Sequence, residues 1–157
     1  TTKESSRGMG TTMVAATLYK DTLYVTNVGD SRLYIIGNEI RQITHDHSLV
    51  EEMVRLGKLT KEEGRNHPDK NIITRAIGAE ETVTVDCFEE KTGIRDVILL
   101  CSDGLTNMVS NEQIQQIIKT EKSLQKTAES LVDTANRNGG RDNITVLLIS
   151  RKSNEVK

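Results

Sequence analysis

Four short apolar runs, residues 11–18, 23–28, 32–36 and 39–43, follow one another near the start of the chain, with only Lys20-Asp21, Gly29-Asp30 and Gly37-Asn38 as punctuation between them. Connections this short join antiparallel strands and leave no room for a crossover helix, so the spacing predicts a β-meander. In the second run Leu23, Val25 and Asn27 point to one face and Tyr24, Thr26 and Val28 to the other. Apolar side chains therefore fall on both faces, which predicts a sheet covered on both sides.

The rest of the chain alternates helical and strand-like stretches. Between Ser48 and Gly57, the residues Leu49, Met53, Val54 and Leu56 recur at near-helical spacing, with Gly57 as the stop. Thr60-Lys61-Glu62-Glu63 fits a capping box for a second short helix, which His67-Pro68 ends. An extended piece at 71–77 is followed by an alternating strand at 82–88 and a continuously apolar one at 97–101, the mark of a strand buried on both faces. Ser110 with Gln113 caps a helix carrying Ile114, Ile117 and Ile118, and Ser123 caps another carrying Leu124, Ala128, Leu131, Val132 and Ala135. A last strand spans 144–149. Strands and helices grouped in separate layers make this an α+β chain.

At 157 residues with 35% hydrophobic content, one domain with a core is expected. A net charge of −2, with both signs interspersed, gives no electrostatic basis for binding nucleic acid or an anionic membrane. No apolar run approaches the roughly 20 residues that span a bilayer, and no basic-then-apolar signal opens the chain, so a cytoplasmic location is expected. Cys87 and Cys101 lie in strand-like segments without zinc-site spacing, and both are expected as reduced, buried thiols.

Three aspartates mark the ends of strand-like runs: Asp30 in Val28-Gly29-Asp30-Ser31-Arg32, Asp103 in Cys101-Ser102-Asp103-Gly104, and Asp142 in Gly140-Arg141-Asp142-Asn143. Each alone is ordinary turn punctuation. Together, oxygen-only donors on rigid strand ends suit magnesium or manganese better than zinc. Spacing alone does not bring the three to one place.

Six stretches occur in an order that closely resembles the metal-dependent serine/threonine phosphatases of the PP2C (PPM) family, its bacterial branch above all. They are Gly8-Met9-Gly10-Thr11-Thr12, Asn27 to Arg32, Thr44 to Val50, Ile73 to Gly78, Leu100 to Leu105 and Gly139 to Val146. The resemblance covers residues 8–149. It implies an α-β-β-α sandwich of two antiparallel sheets flanked by helices, with a flap-like insertion at about 45–78. By the same resemblance Asp103 and Asp142 match ligands of a pair of Mn2+ or Mg2+ ions, and Asp30 helps hold a possible third. Asn143 would orient Asp142, while Gly104 and Gly29 would keep bulk away from the ions. The implied reaction is attack of a metal-activated water on phosphoserine or phosphothreonine esters of proteins, opposite a cognate serine/threonine kinase.

Family members open with an acidic residue, a phosphate-binding Arg and an Asp-Gly-x-Gly-Gly motif. Here Arg7 is the only Arg before Gly8, and no Asp precedes Asp21, so these roles map to no residue. The chain is expected to be about the last two-thirds of a catalytic domain, lacking the N-terminal segment, with weak metal binding and little activity by itself.

Other chemistries fit less well. A cysteine phosphatase needs Cys-x5-Arg, and the position six after Cys101 is Asn107. His45-Asp46-His47 has ligand-type residues, but as a strand-to-helix junction it is read as capping the following helix rather than holding zinc. Arg65, His67 and Arg75 are the insertion's groups best able to meet a phosphoprotein, each read first as solvent-facing or packing. The rivals from other classes are a non-catalytic phosphoprotein-binding or scaffold domain of the same fold and a simple divalent-ion-binding module.

Overall fold

A computed structural model describes residues 8–121 and 123–151, so Arg7 lies outside the described residues. In chain order the strands are β1 (Met13–Tyr19), β2 (Thr22–Val28), β3 (Arg32–Ile36), β4 (Ile40–Gln42), β5 (Asp86–Lys91), β6 (Val97–Cys101) and β7 (Val146–Ser150). The helices are α1 (Leu49–Arg55), α2 (Lys61–Arg65), α3 (Asp103–Thr106), α4 (Asn111–Thr120) and α5 (Leu124–Arg137). The strands form two antiparallel sheets, one of order β1-β2-β5 and one of order β4-β3-β6-β7.

The period of two along each strand explains the layers. Leu33 and Ile35 of β3 and Ile98 and Leu100 of β6 pack against Leu23 and Val25 of β2 between the sheets. The alternate residues, Tyr34, Ile36, Leu99 and Cys101, meet Ile114, Leu131 and Ala135 beneath α4 and α5. With partners on both sides, β3 and β6 have no face left for polar residues, hence their unbroken apolar runs.

The uniform meander is not observed. β1 pairs β2 and β3 pairs β4, but β2 and β3 lie in different sheets, so the chain crosses the sandwich at Gly29-Asp30. Nor is β2 covered on both sides by the described residues: Tyr24 is 45% exposed on the outward face, where Cys87, paired to Thr26, is exposed too. Only Cys101 has the expected buried thiol, pushed up to about 12 by burial and so un-ionised at neutral pH.

Strand ends follow partner ends. β5 begins at Asp86 rather than at 82 because Asp86 faces Asn27, one residue before β2 ends. β7 begins at Val146 because its partner there, Cys101, is the last residue of β6. The helix starts match their signals. Ser48, Ser110 and Ser123 accept from the N–H groups of Glu51, Gln113 and Lys126, Thr60 with Glu63 and Ser110 with Gln113 close capping boxes, and Gly57 at φ 68° follows α1. The extended stretch after α2 folds back. Thr74 N–H donates to His47 O (2.7 Å), while Thr11 and Ile77 exchange hydrogen bonds of 3.0 and 2.8 Å. Residues 48–72 thereby form an excursion clamped at its base. Among the described residues no helix is long and apolar enough to cross a membrane.

Candidate functional site

Gly29 is the corner between the sheets. Its φ of 106° is a left-handed conformation that glycine adopts without strain, and a Cβ there would collide with the Thr12 side chain. Its polar groups leave the strand ladder: the N–H donates to His47 Nδ1 (3.0 Å), and the carbonyl accepts from His47 N–H (2.9 Å) and Asn27 Nδ2 (3.2 Å). Asn27 Nδ2 also reaches His45 O (3.1 Å). This buried lattice sets the direction in which Asp30 leaves β2.

Asp103 opens α3 at the end of β6. Ser102 occupies the N-cap position of α3 but does not cap it. Its hydroxyl instead donates to Asn143 O (2.9 Å) and accepts from Thr145 N–H (3.0 Å), tying the start of α3 to the loop before β7. Gly104 completes the tie, since a Cβ there would run into the Asn143 carbonyl. Glycine at this position therefore allows backbone to meet backbone, a different reason from keeping bulk off an ion. Asn143 acts on Asp142 through its main chain, its N–H donating to Asp142 Oδ1 (2.7 Å). On the other side Asn107 Nδ2 donates to Asp103 Oδ2 (3.1 Å).

Asp30, Asp103 and Asp142 thus come from three separate corners of the fold to one end of the sandwich. Burial first, and then the neighbouring Asp103 carboxylate, raise Asp30 above the usual carboxylate range. Burial and then Asp142 do the same to Asp103. In both groups burial is the larger cause and a neighbouring carboxylate the next, a condition that a bound divalent cation relieves. Among the described residues no three His, Cys, Asp or Glu side chains close into a ready-made metal shell. The donors present, all carboxylate oxygens, fit hard divalent ions whose coordination water completes.

Asp30 and Asp103 line a cleft of about 570 Å³, bounded by α1, α2 and residues 61–70 on one side and by Thr106 to Gln113 on the other. In its wall Arg32 grips Asp46 with a guanidinium fork, Nε to Oδ1 and Oδ2 at 2.9 and 3.0 Å and Nη2 to Oδ2 at 2.6 Å, while Nη1 donates to Tyr34 Oη (3.1 Å). Burial opposes the Arg32 charge, but Asp46 and Tyr34 outweigh it, so the group stays cationic.

The His45-Asp46-His47 triplet holds the corner together and does not cap α1; that task falls to Ser48. His45 stacks edge-on against Phe88 at 5.6 Å, Asp46 takes Arg32, and His47 turns inward to Gly29. His47 Nε2 lies 3.1 Å from Asp86 Oδ2, and Arg75 Nη1 donates to Asp86 Oδ1 (2.8 Å) beside the same ring. Arg75 is therefore engaged in the fold and not directed at a substrate. His67 Nδ1 accepts from Asp69 N–H (3.2 Å) outside the cleft lining, whereas Arg65 lines the cleft. The supporting residues Asn27, Arg32, His47 and Ser102 lie inside the stretches that carry the family resemblance but show their supporting roles only in the fold, while Asn107, outside those stretches, stands at i+4 from Asp103 on what becomes one helical turn.

A family model described as "Protein phosphatase 2C" matches residues 1–144. "Serine/threonine phosphatase stp" of Listeria welshimeri is 50% identical over 145 residues, covering 92% of this chain and 58% of the relative. The crystal structure of serine/threonine phosphatase Stp1 from Staphylococcus aureus superposes with a TM-score of 0.90 at 38% identity, covering 93% of this chain and 58% of that one. A structure of the catalytic domain of the serine/threonine protein phosphatase PstP in complex with two manganese ions matches at TM-score 0.80 and 34% identity, covering 90% and 59%. The chain thus spans about three-fifths of the relatives' length. With sequence and fold in agreement, the chain belongs to the metal-dependent protein phosphatase 2C family.

Proposed function

We propose that the protein carrying this chain is a serine/threonine protein phosphatase that hydrolyses phosphoserine and phosphothreonine esters of proteins, countering a serine/threonine kinase. The observation that carries this reading is the convergence of Asp30 and Asp103 in one cleft, with Asp142 near enough to Asp103 to disfavour its charge. Asp103 and Asp142 would hold a pair of Mn2+ or Mg2+ ions, with Asp30 and Asp103 as the seat of a third. Manganese in the PstP structure supports that choice. When bound, such ions supply a water poised for attack on phosphorus and neutralise charge on the transferring group.

The chain's own residues do the positioning. Ser102 and Gly104 hold the Asp103 and Asp142 corners in register, Asn107 orients Asp103, and His47 with Asn27 fixes the turn that presents Asp30. Cys101, buried and un-ionised, is not a nucleophile.

The test is phosphate release from a phosphothreonine peptide by the protein of the complete reading frame, with and without manganese, beside its Asp103→Asn variant. Manganese-dependent turnover that the variant loses, with its circular dichroism unchanged, supports the enzyme and the site. Turnover that survives in the variant refutes the site, and no turnover in the intact protein shifts the reading to a non-catalytic domain of the same fold.

A further inference from the structure

The cleft has two chemically different ends. Asp30, Asp46 and Asp103 form the acidic end, whereas Lys61, Arg65 and Lys70 line the side formed by α2 and the turn after it. Helix α2 is sorted by sign. Lys61, Gly64 and Arg65, at i, i+3 and i+4, share the face that lines the cleft, while Glu62 does not line it and Glu63 is occupied in the capping box with Thr60. Gly64 is what brings this face inward. It is buried, and a Cβ there would lie 3.0 Å from Val50 Cγ1 and 3.2 Å from Val54 Cγ2, so α2 rests closely on α1.

Among the described residues none of the three cations is in a salt bridge, unlike Arg32 and Arg75. On that side a single carboxylate, Glu51, lines the cleft. The facing wall is the first turn of α4, Ser110 to Gln113, whose dipole is positive at that end; Glu112 of this turn does not line the cleft but lies near enough to Arg65 for the guanidinium to favour its charge. A phosphoryl group held at the aspartate end leaves this basic stretch facing the neighbouring part of the same substrate. Lys61, Arg65 and Lys70, none of them held in a salt bridge among the described residues, are placed beside the reaction cleft for an incoming anion.

Resting on the phosphatase reading, we propose that Lys61, Arg65 and Lys70 form a specificity site for a second anionic group beside the phosphorylated residue. That group is either the carboxylate of an acidic residue or a further phosphate. Both present oxygens to ammonium and guanidinium donors, the fork of Arg65 being able to take either in two hydrogen bonds.

The experiment measures kcat/KM of the protein of the complete reading frame, with manganese, on three phosphothreonine peptides that differ only in flanks: alanines, glutamates, or a second phosphothreonine. p-Nitrophenyl phosphate serves as a flank-free substrate. The anionic flanks are expected to raise kcat/KM by about tenfold over the alanine peptide, mainly through KM, as expected for three exposed charge contacts. The ratio should fall towards one in the triple variant Lys61→Ala, Arg65→Ala, Lys70→Ala, and in the unaltered enzyme as salt is raised. A gain with glutamates identifies acidic sequences as the preferred substrates, and a gain with the second phosphothreonine alone identifies multiply phosphorylated segments. Equal kcat/KM on all peptides, or a preference that survives both the triple variant and high salt, overturns the proposal while turnover of p-nitrophenyl phosphate leaves the phosphatase reading standing. No turnover of any substrate overturns both.

Discussion

Replacing Gly104 by alanine tests whether close backbone packing sets the spacing of Asp103 and Asp142. The added Cβ would collide with the Asn143 carbonyl oxygen, lie 3.0 Å from its carbon, and stand 3.5 Å from the Asp142 carbonyl carbon. Restoring an ordinary contact of roughly 3.5–4.0 Å between carbons moves the loop by roughly 0.5–1 Å. The obstacle is backbone and not the end of a flexible side chain, so rotamer changes cannot absorb the shift. Overpacking of this kind costs about 1–3 kcal/mol, and weakening the 2.9 Å bond from Ser102 Oγ to Asn143 O adds about 0.5–1.5 kcal/mol. A total of about 3 kcal/mol corresponds to a fall in Tm of roughly 6–12 °C for a domain of this size. Because the same shift carries Asp142 away from Asp103, manganese affinity should fall as well. The assays are thermal unfolding by circular dichroism and calorimetric titration with manganese. A Gly104→Ala protein whose Tm lies within about 1 °C of the parent and whose manganese isotherm is superimposable would refute the reasoning, since both effects follow from one displacement.

Two further substitutions test the supports of the corner. Burial works against the Asp86 charge, but hydrogen bonds from His47 and Arg75 outweigh it and hold its carboxyl below the ordinary value. A depressed folded-state pKa contributes stability above the unfolded-state value of about 3.9, and that contribution is lost as pH falls through the lower folded value. Asp86→Asn should therefore destabilise by about 1 kcal/mol at pH 7, with the gap to the parent closing on acidification below the carboxylate range in urea titrations across pH; a gap independent of pH would contradict the assignment. Arg32→Lys keeps the charge but loses the fork on Asp46, and should cost about 1–2 kcal/mol in the same titrations. An unchanged midpoint would show that the two-pronged geometry contributes nothing.

Signals carried by neighbouring residues were legible in the sequence by itself. The apolar runs of β3 and β6 have the predicted bounds because their alternate residues meet a core on each side. The Thr60-Glu63 and Ser110-Gln113 capping boxes close as expected because both partners lie within one helical turn. Asp30 and Asp103 stand beside strand ends as the motifs imply, since a turn residue flanked by glycine marks its own corner, whereas Asp142 lies in the loop four residues before β7. Tertiary structure alone decided what depends on residues far apart along the chain. Short links suggested that β2 pairs with β3, yet Gly29 gives its hydrogen bonds to His47, eighteen positions on, and the chain crosses to the other sheet. The start of β5 was fixed by the end of β2, and the need for glycine at 104 by the carbonyl of Asn143, neither visible in the local pattern. Periodicity records which way a side chain points, not what it meets there, so the convergence of Asp30, Asp103 and Asp142 required the folded chain.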